Sequence, residues 1–171
     1  GDGQAVLDAL EIIDIKNNNY VMVCWGDSFI KDKSLIPLLI NNIENKFTDD
    51  FIVPLKESKD PYVCYLKDDK DDLKRVAFKR RGEKFSKGLT DMSLFFIKPS
   101  KVRSHLKDLR EKGLKIKANP NSKNELNFLD LIEHLYKLKS PAKAFNVKVS
   151  EGISSFNTKS EAKDISDDLG S

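Results

Sequence analysis

Apolar residues in this chain recur in two rhythms that alternate along its length. Residues 3–15 place Val6, Ala9, Leu10 and Ile13 at helical spacing, which predicts an amphipathic helix. After the polar turn Asn17-Asn18-Asn19 comes Tyr20-Val21-Met22-Val23-Cys24-Trp25, an apolar run without alternation. Such a run predicts a central strand covered on both faces, and it stops at the polar turn Gly26-Asp27-Ser28. Ser34 is placed to cap a helix carrying Leu35, Leu39 and Ile43 on one side. Phe51–Leu55, Tyr62–Leu66 and Leu73–Lys79 read as strands, the last two joined by an acidic hairpin over Asp68–Asp72. Asp91–Lys98 is a further strand, and Pro99 opens a helix with Val102, Leu106 and Leu109 inward and a stop at Gly113. A loop over 115–123 leads to a helix around Leu126, Leu129, Ile132 and Leu135, then to a strand over Ala144–Val149. The Thr158/Glu161 pair has capping-box spacing and starts a short last helix.

This alternation predicts an α/β fold: a mixed, mainly parallel sheet with helices on both faces. Ligands of such sheets sit beyond the C-terminal ends of strands, so Gly26-Asp27 is the first place to look.

Composition narrows the class. A length of 171 residues fits one domain, expected over 1–165 with a frayed end at 166–171. No stretch approaches the roughly 20 apolar residues of a membrane span, and Gly1-Asp2-Gly3-Gln4 does not read as a secretory leader. Thirty Lys and Arg against 27 Asp and Glu leave a net charge of only +3, which by itself supports no nucleic-acid or membrane partner. Cys24 and Cys64 sit in apolar runs and are expected to be reduced core residues of a cytoplasmic protein.

Several clusters carry candidate chemistry, each with a plainer alternative. Asp27, after a buried strand and Gly26, suits a hard cation such as Mg²⁺ or an ordinary turn. Gly1-Asp2-Gly3 before the first helix offers backbone N–H groups to an anion or is a loose chain start. Asn157 can supply a carbonyl ligand or shape a turn. The basic stretch Lys74, Arg75, Lys79, Arg80, Arg81, Lys84, Lys87 suits phosphate or a solvated strand edge. The Asp68–Asp72 turn lacks the Gly and Glu of a calcium loop. His105 and His134 have no partner at zinc-ligand spacing, and no nucleophile motif is present.

In their order along the chain these segments resemble the sugar nucleotidyltransferases that make nucleotide sugars, above all the N-acetylglucosamine-1-phosphate uridylyltransferase domain. Gly1-Asp2-Gly3-Gln4-Ala5 is similar to the family's base-contacting helix start, and Val23-Cys24-Trp25-Gly26-Asp27 to the strand whose Asp binds the catalytic metal. Asp91-Met92-Ser93 with Lys98-Pro99 resembles its Asn-x-Gly strand with trailing Lys-Pro, Glu125–Ile132 the helix before the last strand, and Phe156-Asn157-Thr158 the Asn-Thr of the second metal ligand. The likeness spans the C-terminal two-thirds of a family domain, without its first strand and Gly-rich phosphate loop. Where the family has Asn and Gly this chain has Asp91 and Ser93, and Phe78-Lys79-Arg80-Arg81 stands where a Glu often meets the sugar.

The resemblance implies transfer of a nucleotidyl group from a nucleoside triphosphate, UTP first, to a sugar 1-phosphate with release of pyrophosphate. Asp27 and Asn157 would hold Mg²⁺ and be the catalytic pair. Gly1, Asp2, Gly3, Gly26 and Asp27 would bind the nucleotide, and Asp91, Lys79 and Leu129 the sugar. The missing loop would come from an absent N-terminal segment or from another copy in a homo-oligomer. The alternative is a non-catalytic nucleotide-sugar-binding or regulatory module of the same fold.

Overall fold

The computed structural model describes residues 2–13, 19–112, 125–148 and 153–155. Gly1, Asn157, the capping-box helix and the 166–171 end lie outside them. The elements run α1 (Asp2–Ile12), β1 (Val21–Cys24), β2 (Ser28–Ile30), α2 (Leu35–Lys46), β3 (Phe51–Lys59), β4 (Val63–Lys67) and β5 (Leu73–Phe78). A 3₁₀ turn (Lys79–Arg81) follows, then β6 (Lys87–Asp91), β7 (Leu94–Ile97), α3 (Pro99–Glu111), α4 (Asp130–Lys137), β8 (Lys143–Asn146) and β9 (Ile153–Ser155).

The fold is α/β, with a seven-stranded sheet between helices, but the pairing corrects the parallel expectation. Its path is β1-β7-β3-β6-β4-β5, with β8 attached to β3. Only β3–β8 is parallel; the other strand pairs of this sheet are antiparallel. The reason is local. Tight connections such as Asp68–Asp72 can join only antiparallel neighbours, whereas a parallel pair needs a long crossover. In that turn Asp68 Oδ1 accepts the N–H groups of Lys70 (2.9 Å) and Asp72 (3.0 Å), so its acidity shapes a hairpin.

Alternation along β3 and β7 fills both faces. Phe51, Val53 and Leu55 join Phe95 and Ile97 in a core under α1, α3 and α4. Ile52, Leu94 and Phe96 meet Leu35, Leu39 and Ile43 of α2 on the other side. Helix α1 buries Gly3, Val6, Leu7 and Leu10, while Ala9 and Ile13 are exposed. Ser34 takes the predicted N-cap position of α2 but makes no side-chain cap bond; Asp32 Oδ1 instead accepts Ser34 N–H at 2.8 Å and Ser34 Oγ–H at 2.7 Å. Helix α4 begins at Asp130, later than the apolar spacing suggests, because Asn127 Oδ1 takes the Leu129 N–H (2.9 Å) in a preceding turn. Strand β1 is not central. It heads the path with β7 as its one strand neighbour among the described residues, which leaves Met22 and Cys24 exposed. Only Cys64 is a core cysteine, and both thiols are free. No described helix is long and apolar enough to cross a membrane.

One irregularity positions the site. Strands β6 and β7 form a nearly continuous line beside β3, pairing Leu55 with Asp91 and Ile52 with Phe96. Between these pairs Val53 and Pro54 face Met92–Phe95, so the line bulges. Pro54 has no N–H to donate, and Ser93 takes a left-handed backbone with φ +58°. The position where the family carries Gly thus keeps a glycine-like conformation. Strand β1 pairs with the line after the bulge and β4 before it, so their ends part there and leave a crevice.

Candidate active site

The crevice is a cavity of about 420 Å³. On one lip, the end of β1 contributes Trp25 and Asp27; on the other, the β4–β5 hairpin contributes Tyr62, Phe78 and Arg80. Asp91 and Ser93 lie at its base on the bulge, and Asp2 and Leu129 close it from the helical side. Four residues named from the sequence, Asp2, Asp27, Asp91 and Leu129, are therefore brought into one cavity.

The β1 lip is built on aromatic packing. The Trp25 ring lies 5.0 Å from Phe95 and 5.6 Å, edge to face, from Phe128, and the Trp25 backbone N–H donates to Ser93 O at 3.1 Å. That bond pins the end of β1 to the bulge, and Gly26 and Asp27 follow at once. A Cβ on Gly26 would have nothing within 4 Å. Asp27 Oδ1 is buried with no hydrogen-bond partner among the described residues, and so is the neighbouring Ser28 Oγ. A buried carboxylate oxygen without a donor is costly, and a cation ligand would satisfy it. Mg²⁺, which prefers carboxylate oxygens, fits this donor. No group of three or more His, Cys, Asp or Glu among the described residues forms a complete metal site. Burial, and secondarily the Asp27 charge, pushes the Cys24 thiol up.

Asp91 is tied into the protein. Its Oδ1 accepts the Ser93 N–H (2.8 Å) and its Oδ2 the Tyr65 O–H (3.0 Å). Burial raises its pKa despite those bonds, and burial with the Asp91 charge holds the Tyr65 hydroxyl well above its usual range. The Asp91 side chain thus sets the bulge as well as lining the cavity.

Asp2 and Gly3 also have internal partners. Asp2 Oδ1 accepts Gly3 N–H (2.8 Å) and Phe128 N–H (3.0 Å), and Gly3 N–H donates to Leu126 O (3.0 Å). A Cβ on Gly3 would lie 2.8 Å from Leu126 Cγ and 2.9 Å from Leu126 O. Close packing of α1 against the segment before α4 is enough to require glycine there. The same packing seats Leu129 at the cavity wall.

The hairpin lip ends in three consecutive cations with three different fates. Lys79 Nζ pairs with Asp60, a residue of the cavity wall, and lies 5.6 Å from the Phe85 ring, but Lys79 does not itself line the cavity. Arg81 donates to both oxygens of Asp130 at 2.9 and 3.1 Å and stacks 3.8 Å from the Phe78 ring centroid. Burial nonetheless leaves the Asp130 carboxyl raised. Arg80, between them, faces the cavity. The turn is held by Gly82 at φ +86° and by Glu83, which accepts Phe78 N–H (3.1 Å) and Arg75 Nη1–H (2.7 Å). The sequence marked this basic stretch but not which cation is free, because Asp60, Glu83 and Asp130 are partners only in three dimensions. Trp25 and Tyr65 also escaped sequence reasoning, since an aromatic in an apolar strand reads as core.

Comparison with known proteins bears on the fold. No protein-family profile and no curated protein matches this sequence. Among solved structures, HddC from Yersinia pseudotuberculosis superposes with a TM-score of 0.63 at 15% identity, covering 99% of this chain and 62% of that one. Its complex with GMP-PN gives 0.62 at 15% identity over the same shares. LicC, the CTP:phosphocholine cytidylyltransferase of Streptococcus pneumoniae, gives 0.64 at 11% identity, covering 99% of this chain and 64% of that one. The chain therefore spans less than two-thirds of the length of these structures and shares with them the nucleotidyltransferase fold.

Proposed function

We propose that this chain is the acceptor-side part of a nucleotidyltransferase that joins a nucleoside monophosphate unit from a nucleoside triphosphate to a sugar 1-phosphate, releasing pyrophosphate. The observation that carries the reading is the convergence of Asp2, Asp27, Asp91 and Leu129, named from their order in the sequence, on one cavity at the split of the sheet. LicC, similar in fold, is a cytidylyltransferase, and HddC has been seen with GMP-PN, which supports a nucleotide ligand. UTP is the donor the sequence resemblance favours.

In this reading Asp27, one of whose oxygens is buried without a protein donor, and Asn157 would hold Mg²⁺. The metal would neutralise phosphate charge as the acceptor oxygen attacks the α-phosphorus. The chain's own task is placement: Gly26 leaves room beside the carboxylate, Trp25 fixes the lip, and Asp91 holds the bulge that forms the floor.

A second reading, a nucleotide-sugar-binding module without turnover, is favoured by the internal engagement of Asp91 and Lys79. Thermal-shift titration with the four nucleoside triphosphates and their sugar diphosphates, with and without Mg²⁺, tests both. The proposal expects a Mg²⁺-dependent rise that Asp27→Ala abolishes, since a ligand bound to the native state raises Tm by mass action. The variant itself should be as stable as wild type or slightly more so, because it removes an unsatisfied buried oxygen. A rise with nucleotide sugars alone, indifferent to Mg²⁺, selects the binding module. No rise with any nucleotide refutes both.

A further inference from the structure

Three cations follow one another at the end of β5, and only the middle one is left for a ligand. Lys79 is spent on Asp60 and Arg81 on both oxygens of Asp130. Arg80 lines the cavity and forms no hydrogen bond or ion pair among the described residues. Its guanidinium lies 5.3 Å from the centroid of the fully buried Phe78 ring, on which Arg81 also stacks, and its charge reaches Asp130 without a hydrogen bond. A guanidinium held over an aromatic ring keeps its in-plane N–H fork for a carboxylate or phosphate.

The cavity's own carboxylates do not answer this charge. Asp60 is paired with Lys79, Asp91 accepts from Tyr65 and Ser93, and Asp2 accepts from two backbone amides. Asp27 stands on the opposite lip, at the end of β1, a strand that shares no pairing with β4 or β5. An acceptor whose phosphate reacts beside Asp27 would therefore present its far side to Arg80. We infer that the acceptor is a sugar 1-phosphate bearing a carboxylate remote from its phosphate, a uronic acid 1-phosphate, and that Arg80 is the residue that selects it. This inference rests on the nucleotidyltransferase reading and adds the acceptor's chemical class.

The test is isothermal titration calorimetry of the full chain with glucuronic acid 1-phosphate and glucose 1-phosphate. Wild type is compared with Arg80→Gln and Arg80→Lys, and UTP with Mg²⁺ is titrated separately. Arg80 is solvent-exposed, so both variants should fold as wild type does. An ion pair to a guanidinium as exposed as this one supports a preference of about two- to fivefold for the uronate. Arg80→Gln should bring that ratio to about one while leaving glucose 1-phosphate binding unchanged, and Arg80→Lys should keep part of it. Equal affinity of wild type for the two sugars overturns the inference, as does failure to bind either. An equal loss of both in Arg80→Gln also overturns it and places Arg80 on the phosphate instead. If Arg80→Gln removes a uronate preference but no nucleotide binds, the carboxylate site stands and the transferase reading falls.

Discussion

Replacing Gly3 by alanine separates two reasons for a glycine at the start of α1: access for a ligand, or close packing within the protein. In an ordinary helix the change would stabilise by up to about 1 kcal/mol. Here the new methyl would sit 2.8 Å from Leu126 Cγ, 2.9 Å from Leu126 O and 3.0 Å from Phe128 N. Two of these atoms are backbone, so a rotamer change cannot relieve the contact. Helix α1 would have to back away, which strains the core at about 1–3 kcal/mol. It would also loosen the bonds from Gly3 N–H to Leu126 O and from Phe128 N–H to Asp2 Oδ1, each worth about 1 kcal/mol. The net expectation is a loss of about 2–4 kcal/mol, or a fall of about 4–16 °C in Tm for a chain of this size. Circular-dichroism melts without any ligand read this directly. A Gly3→Ala protein that melts at or above wild type would refute the packing argument and return Gly3 to a role in ligand access alone.

Three other outcomes follow from the same geometry. Gly26→Ala, with open space around its methyl, should change stability by less than about 0.5 kcal/mol yet weaken Mg²⁺-dependent nucleotide binding, both measurable in one thermal-shift plate. Arg81→Gln should cost about 2–4 kcal/mol by leaving Asp130, whose side chain is 13% exposed, without its partner, and adding Asp130→Asn should recover much of it in urea melts. Asp91 has a folded-state pKa raised above the ordinary 3.8, so its contribution to stability is full below that value and is lost as pH rises through the folded-state pKa. Asp91→Asn should therefore gain on wild type with rising pH and then level off; a difference that stays flat across this range would rule Asp91 out as the group responsible.

Much of the element order was legible because apolar spacing is a local signal: α2 and α3 follow it closely. What eluded it was pairing. An unbroken apolar run such as Tyr20–Trp25 looks the same whether a strand is central or has one neighbour, and β1 has one among the described residues. The expected strand over Asp91–Lys98 covers β7 but only the last residue of β6, whose polar Lys87–Asp91 sequence gives little apolar signal, and the bulge between them went unseen because positive φ at a serine leaves no mark in hydropathy. Within the site, Asp27 was found because Gly-Asp after an apolar strand is a recognisable join. Arg80 was hidden among equals; its neighbours' ion pairs, made over separations of 19 and 49 residues, are what single it out.

The split beside β6 and β7 bears on how changes in the cavity combine. Asp27 and Arg80 hang from strands with no shared pairing, so the protein offers no direct lever between the two lips. Distant sites without common partners are energetically additive. A double-mutant cycle across the lips should then show no interaction energy in the free protein and a finite one once both lips hold the same molecule. Non-additivity across the crevice becomes a gauge of the ligand's reach, readable before any turnover assay exists.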